Sequence, residues 1–264
     1  LGGMVGGHSG RALLDTAPLR SLLDKEVNFQ ELHKKSAQGG FKALAVTAVD
    51  YYTSTAITFV EGQGALPEWE KDRVKSERAK IRADHIMASS AIPLLFPPIQ
   101  VDNSYFGDGC VRNSHPCRPA LYLGAKRLIV VGVRKHSPSE VAPPSAKAPS
   151  VGKVLNLLMN AILLDAVEID IERMERLNKM IEGLSVSERS KIKYKKVPYT
   201  LITPSLDIGR LAQTLANRLP RLIRYLMKGL GSLEDSAEVI SYLLFEPKFC
   251  QTLIDCGYED ARAA

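Results

Sequence analysis

Tyr105-Phe106-Gly107-Asp108-Gly109-Cys110 places one carboxylate between two glycines, directly after an aromatic pair. Flanking glycines permit a tight turn and let the backbone come close to a ligand. An isolated triplet of this kind is usually an ordinary turn, so its surroundings decide what it does. Here Ala88-Ser89-Ser90-Ala91-Ile92-Pro93 precedes it, and the apolar run Leu128–Val133 follows it. These flanks predict an acidic group at the mouth of a strand.

The apolar run Leu128–Val133 also indicates the fold class. It follows residues 119–125, which are predicted to form a short helix closed by glycine. A nearly unbroken apolar strand after a helix is typical of a parallel strand that is buried on both faces. The sequence therefore predicts an α/β sheet with helices on either side.

Patterns on both sides of the Asp-Gly stretch predict further elements. Branched residues and turn residues predict one hairpin over 41–47 and 55–60, and a second over 99–101 and 104–106 with Asp102-Asn103 as its turn. The charged segment 68–82 predicts a helix. Residues 85–90 predict a short buried helix in which His85 is a hydrogen-bonded packing residue.

The second half of the chain is predicted to be mainly helical. Residues 135–150, rich in proline, serine and alanine, are expected to form a flexible connection. Apolar spacing predicts one long helix or two in line over 151–181, a strand over 197–202, and helices over 211–230 and 237–244. The expected organisation is a segment 1–134 carrying the Asp-Gly motif, the connection 135–150, and a helical region 151–264 with one further strand, packed on the same domain.

Composition restricts the classes of partner. The 264 residues carry a net charge of +6, with a pI near 9.1, but basic and acidic residues are mixed. No nucleic-acid-binding motif accompanies them, so a phospholipid headgroup layer fits this charge at least as well as nucleic acid. The four cysteines lack metal-site spacing and are expected to be free thiols. No signal peptide or membrane span is recognised, and we expect a cytoplasmic protein in peripheral contact with membranes.

Several segments occur in an order that is typical of one enzyme family. They are Ala12-Leu13-Leu14-Asp15-Thr16-Ala17-Pro18-Leu19-Arg20, Leu44-Ala45-Val46-Thr47-Ala48-Val49-Asp50, His85-Ile86-Met87-Ala88-Ser89-Ser90-Ala91-Ile92-Pro93, the Asp-Gly stretch, and Pro119-Ala120 with Leu123-Gly124-Ala125. From Arg11 to Val133 the chain resembles the patatin-like phospholipases, serine acyl hydrolases with a Ser-Asp dyad. The resemblance implies a three-layer patatin-type α/β fold, lipid acyl-ester hydrolysis through an acyl-serine, and no metal or organic cofactor.

The resemblance also assigns roles to the Asp-Gly stretch. Asp108 matches the general base of the family, and Gly107 and Gly109 support its turn. Cys110 stands where the family more often has a second glycine. A positive backbone angle there would suit cysteine less well than glycine. His115, just beyond the turn, is a candidate for lining the substrate pocket.

The nucleophile that the family requires is not found in the sequence. The family's serine lies in a Gly-x-Ser-x-Gly elbow, and no serine here has glycine two residues away on both sides. Ser9, in Gly7-His8-Ser9-Gly10-Arg11, comes nearest but fits poorly, and Ser89 and Ser90 are expected to be packing residues. We therefore expect the nucleophile and the oxyanion loop to lie upstream, and the chain by itself to be inactive.

Three alternatives stay open at this point. A transacylase shares the first half-reaction with a hydrolase. A catalytically inactive lipid-binding or regulatory module would retain the fold without the elbow. The segment Arg210–Leu230 carries Arg218, Arg221, Arg224 and Lys228 beside a leucine stripe, so it either lies on an anionic lipid surface or packs its apolar face on the sheet.

Overall fold

A computed structural model describes residues 12–135, 148–230 and 237–264. The contacts within the chain separate two compact units, which divide between Ala125 and Lys126. The predicted organisation into 1–134, 135–150 and 151–264 stays a prediction. Most of the expected connection, residues 136–147, lies outside the described residues.

The N-terminal unit is built around a mixed sheet. Its helices are α1 Ala17–Glu26, α2 Phe29–Ala37, α3 Ala83–Ser89 and α4 Arg118–Tyr122, and its strands are β1 Ala43–Asp50, β2 Thr55–Gly62, β3 Glu70–Lys71, β4 Val74–Arg78, β5 Ile99–Val101 and β6 Ser104–Asp108. The strand order is β3-β4-β2-β1-β6-β5, in which β2 and β4 are parallel and the other neighbours antiparallel. The predicted α/β class, a sheet flanked by helices, is confirmed.

Both predicted hairpins form, and a buried carboxylate holds the turn of the first. Asp50, at the end of β1, accepts hydrogen bonds on Oδ1 from the backbone N–H groups of Tyr52 and Thr53, at 2.8 and 3.2 Å. Its Oδ2 accepts from Ser104 Oγ at 2.9 Å. Burial alone would raise the pKa of Asp50, but these hydrogen bonds outweigh it and hold the pKa below its ordinary value. The carboxylate thus ties the first hairpin to the start of β6.

The helix predicted over 68–82 is wrong, because this segment forms β3 and β4. Asp72 takes a φ of +54° at the turn between these strands, a conformation that aspartate tolerates better than most residues. β4 then pairs along its length with β2. The ladder hydrogen bonds of this pairing override the helix propensity of the charged residues. Arg78 completes the strand by donating to the carbonyl oxygens of Gly64 and Gly62.

The predicted buried helix is confirmed as α3, and it covers the core of the sheet. Ala88 is fully buried, and its small side chain lets α3 pack closely on β1. His85 is 1% exposed and packs edge-on against Phe59, with the ring centroids 4.6 Å apart. Its Nδ1 accepts from the Arg82 N–H at 3.0 Å, and burial lowers the pKa of His85. His85 is therefore a neutral packing residue, as predicted.

The C-terminal unit combines a parallel strand pair with helices. Its elements are β7 Leu128–Val131, α5 Val151–Leu163, α6 Asp165–Gly183, α7 Val186–Lys191, β8 Tyr199–Ile202, α8 Ile208–Thr214, α9 Arg221–Leu230, α10 Ala237–Leu243 and α11 Pro247–Ala263. β7 and β8 pair in parallel. The predicted helical C-terminal region with one further strand is thus observed. In the part of the chain that the structure describes, no helix has the length and apolar character needed to span a membrane.

Two expectations for this unit need correction. β7 is not buried on both faces, since Ile129 and Val131 are 73% and 69% exposed. The helix predicted over 211–230 is broken into α8, a 3₁₀ turn at Ala216–Arg218, and α9. Pro220 precedes α9, and its missing N–H and its ring prevent a continuous helix.

The described side chains of α9 and of the turn before it favour packing within the protein over contact with lipid. Ile223 and Met227 are buried, while Arg218 pairs with Glu246 and Arg224 donates to the carbonyl oxygen of Asn217. The side chains of Leu222, Leu226 and Lys228, which also belong to the predicted amphipathic segment, lie outside the described residues.

Candidate functional site

Asp108 lies at the end of β6, opposite Ala48 of β1, and is 8% exposed. Its backbone N–H donates to the carbonyl oxygen of Ala91 at 2.9 Å, which joins the Asp-Gly stretch to the loop after α3. Its Oδ1 accepts from the Cys110 N–H at 2.9 Å, and a 3₁₀ turn over Gly109–Val111 follows. Backbone bonds on both sides therefore fix the position of this carboxylate.

The two glycines beside Asp108 leave room for atoms of neighbouring residues. An ideal Cβ at Gly109 would lie 2.4 Å from the carbonyl oxygen of Thr47 on β1. A Cβ at Gly107 would lie 2.3 Å from the hydroxyl oxygen of Tyr51. Neither glycine takes a positive φ, and neither does Cys110. Cysteine therefore fits at its position without strain, and the glycines allow β1 and Tyr51 to approach the turn.

The surroundings of Asp108 favour its neutral form. Burial raises the pKa of Asp108, and the hydrogen bond from the Cys110 N–H opposes this only in part. Burial and then the Asp108 charge raise the pKa of the Cys110 thiol to about 12, and the same two causes raise the pKa of the Tyr51 phenol. A buried carboxylate with a raised pKa accepts a proton more readily than one in water. Two neighbouring groups that stay protonated, a thiol and a phenol, accompany it.

A third contact steadies the segment after Asp108. Arg112 donates from Nε to the carbonyl oxygen of Ser54, at 3.1 Å, in the turn between β1 and β2. The backbone N–H groups of Arg112 and Asn113 both donate to the carbonyl oxygen of Gly109. The turn that carries the carboxylate is thereby fastened to the first hairpin.

A groove begins beside this turn. It encloses about 460 Å³ and is lined by Ala43, Ala45 and Thr47 of β1 and by apolar residues of α4 and its end, including Pro119 and Leu123. Thr47 also supplies the carbonyl oxygen that abuts Gly109. The groove and the Asp108 turn therefore share one wall. Mainly small and apolar side chains in such a groove suit an alkyl or acyl chain.

The other candidate residues from the sequence are His115, Ser90 and Ser9. His115 does not line this groove, and its Nδ1 lies 2.8 Å from Ser114 Oγ, so its substrate role stays a prediction. Ser90 donates from Oγ to the carbonyl oxygen of Ile86, which fits the expected packing role. Ser9 lies outside the described residues. Within residues 12–135, no serine hydroxyl is hydrogen-bonded to Asp108.

Two neighbours of Asp108, Tyr51 and Thr47, were not predicted from the sequence. The first strand was predicted to end at Thr47, but β1 continues to Asp50, and the Tyr51 N–H donates to the carbonyl oxygen of Tyr105 at 3.0 Å. Extending the strand by its two-residue period would have placed Tyr51 on the Gly107 side of the sheet. The apolar residues Ala48 and Val49, which follow Thr47, were the available signal that the strand continues.

No metal site is evident where the structure describes the chain. Across those ranges, no group of three His, Cys, Asp or Glu side chains could hold an ion. All four cysteines, Cys110, Cys117, Cys250 and Cys256, are free thiols.

Comparison with known proteins identifies one family over the first half of the chain. Residues 3–121 match the family model described as patatin-like phospholipase. No curated protein matches the chain. The matched segment contains Asp108, its flanking glycines and the Ala91 loop.

Proposed function

We propose, because residues 3–121 match the family model described as patatin-like phospholipase, that the intact protein hydrolyses acyl esters of lipids with Asp108 as general base. The observation that carries the proposal is the position of Asp108. It is a buried carboxylate with a raised pKa, held at the end of a strand within the matched segment. Among the described residues no cationic side chain pairs with Asp108, and a buried carboxylate whose pKa is raised is a candidate for proton transfer.

The proposed reaction proceeds in two halves. A serine hydroxyl attacks the ester carbonyl carbon while Asp108 accepts its proton, and the tetrahedral intermediate collapses as Asp108 returns that proton to the leaving alcohol. Water then attacks the acyl-serine in the same manner and releases the carboxylic acid. Transfer to another alcohol instead of water would give a transacylase.

The serine in this proposal comes from sequence outside these 264 residues. No Gly-x-Ser-x-Gly element occurs in the chain, and Asp108 has no serine partner among the described residues. We expect the chain alone to be inactive. A protein that lacks the elbow altogether would be a lipid-binding or regulatory module, which is the second candidate function.

The groove along β1 supplies a place for the acyl chain. Its apolar lining adjoins the turn that carries Asp108, through Thr47. An ester whose acyl chain lay there would have its carbonyl near the end of β6. Contact with anionic membranes through α9 and a cytoplasmic location both stay predictions.

Asparagine at position 108 tests the proposal. In full-length protein that includes the upstream sequence, Asp108→Asn should preserve the fold and reduce ester hydrolysis by about 10²- to 10⁴-fold, the usual contribution of a general base. The matched control is Asp102→Asn, the same chemical change at an exposed turn of the same hairpin.

Labelling with a fluorophosphonate distinguishes the two candidate functions. Full-length protein should be labelled at an upstream serine, whereas the 264-residue chain should not be labelled. Unchanged hydrolysis by Asp108→Asn, or an equal loss in Asp102→Asn, would contradict the role of Asp108. Full-length protein that resists labelling and hydrolyses no ester would support the lipid-binding module instead.

A further inference from the structure

A second cavity, of about 510 Å³, lies entirely within the C-terminal unit. It opens where both parallel strands end. Residues 133–135 follow β7, and residues 207–210 follow β8 and begin α8. The Gly132 N–H donates to the carbonyl oxygen of Ile202 at 2.8 Å and keeps these two strand ends side by side. Ligands in parallel α/β sheets bind at this end of the strands, and the volume lies within the range of about 300–1,000 Å³ for small-molecule sites.

One side of this cavity is apolar. Its lining includes Val133, Leu164, Ile208, Phe249 and Leu253. These side chains come from four separate parts of the unit, so the apolar surface is a built wall and not one exposed helix face. Such a wall suits an alkyl chain, which gains from leaving water in proportion to its buried area.

Cationic side chains outnumber carboxyl groups in the lining of the cavity, by three to two. Three cationic side chains, Arg134, Lys135 and Arg210, line it together with the carboxyl groups of Asp207 and Glu238. Asp207 is already engaged, because its Oδ1 accepts from the Arg210 N–H at 2.9 Å and its Oδ2 lies 3.8 Å from Arg210 Nε. Arg134 uses Nη1 for Asp165, at 2.8 Å, and its guanidinium has further N–H donors.

Glu238 adds a polar group that the described structure leaves unused. Its Oε2 is buried, and in the part of the chain that is described it has no hydrogen-bond partner. Burial raises the pKa of Glu238, with the amide of Asn160 opposing this in part. The raised pKa lessens the tendency of Glu238 to carry a negative charge beside an anionic ligand.

We propose that this cavity binds an anionic amphiphile, with a carboxylate or phosphate head held by Arg134 and Arg210 and a single alkyl chain against the apolar wall. Binding here is separate from the proposed hydrolysis, because the lining residues all belong to the C-terminal unit and none belongs to the Asp108 turn. A free fatty acid and a phosphate-headed lipid share this chemistry.

Titration calorimetry of the 264-residue chain tests the site with four probes. Decanoate and decyl phosphate distinguish the two anionic heads, decanol removes the charge, and acetate removes the chain. We expect saturable binding of at least one of the two anionic amphiphiles, and binding of decanol and acetate that is weaker by about tenfold or more. Binding of decanol as tight as that of both anions, or no saturable binding of either anion, would overturn the proposal.

Variants locate the binding. Arg134→Gln and Arg210→Gln should each weaken the preferred anion by about tenfold, the loss expected for one charged hydrogen bond. Arg176→Gln is the matched control, since Arg176 is exposed and paired with Glu172 on α6, away from the lining residues. If circular dichroism shows that the arginine variants do not fold, Lys135→Gln, at an exposed position of the rim, takes their place. Unchanged affinity in all folded rim variants, or an equal loss in Arg176→Gln, would refute the assignment.

Discussion

One methyl group at Gly109 should cost more stability than the same methyl at Gly107. The Cβ of Gly109→Ala would lie 2.4 Å from the carbonyl oxygen of Thr47 and 2.9 Å from its carbonyl carbon, both of them backbone atoms of a central strand. The methyl of Gly107→Ala would meet the hydroxyl end of Tyr51, at 2.3 Å, and that ring can rotate away. Clashes with backbone are relieved only by moving a paired strand.

The magnitude follows from two opposing effects. Overpacking of this kind costs about 1–3 kcal/mol, and a backbone obstacle places Gly109→Ala near the upper end. Restriction of the unfolded chain by alanine returns about 0.4–1 kcal/mol. We therefore expect Gly109→Ala to lower the free energy of unfolding of the N-terminal unit by about 2 kcal/mol, and Gly107→Ala by about 1 kcal/mol or less.

Urea denaturation followed by tryptophan fluorescence measures this difference. The chain has a single tryptophan, Trp69, and it lies in the N-terminal unit, so its signal reports on that unit. Tyr51→Ala removes the obstacle at Gly107 and should rescue Gly107→Ala in a double-mutant cycle, but it should leave Gly109→Ala unchanged. Equal stability of Gly109→Ala and the parent chain, or equal rescue of both alanine variants by Tyr51→Ala, would refute the reasoning.

Two buried carboxylates should respond to pH in opposite directions. The pKa of Asp50 is lowered below its ordinary 3.8 by the hydrogen bonds from Ser104, Thr53 and Tyr52, so its contribution to stability is present above that pH and is lost as the pH falls through the folded-state pKa. Asp50→Asn should therefore lower the urea midpoint relative to the parent chain at pH 7. This difference in midpoint should become smaller in acid. The pKa of Asp108 is raised, chiefly by burial, so its ionisation costs stability as the pH rises above 3.8. Asp108→Asn should raise the melting temperature at pH 7, with little difference near pH 3; a lower melting temperature at pH 7 would contradict the burial argument.

Local patterns predicted the elements whose partners are close in sequence. The two hairpins and α3 follow from turn residues, branched strands and a run of small residues, all of which act over a few positions. The segment 68–82 failed because its strand pairing depends on β2, and a single segment gives no sign of that partner. Exposure of Ile129 and Val131 on β7 could not be predicted either, because an apolar run does not state whether both of its faces are covered.

Asp108 itself could be predicted from the sequence, but the residues that surround it could not. Asp108 was identified from the Asp-Gly stretch, because the residue type and its glycine neighbours are visible in the sequence. The reason for the glycines was not visible, since it resides in the Thr47 carbonyl and the Tyr51 phenol across the sheet. The C-terminal cavity was missed entirely, because its lining comes from five separate segments whose convergence depends on the fold.

The hydrogen bond from the Asp108 N–H to the Ala91 carbonyl has a consequence for changes of chain length. It closes residues 92–107 into a loop, and within that loop β5 and β6 form their own ladder. Residues inserted at the Asp102-Asn103 tip would extend the hairpin beyond the closure and add only a small chain-entropy cost. Residues inserted between Ile92 and Pro98 would lengthen the segment that determines the position of Asp108. Insertions and deletions in this region should therefore be tolerated at the tip and selected against at its base.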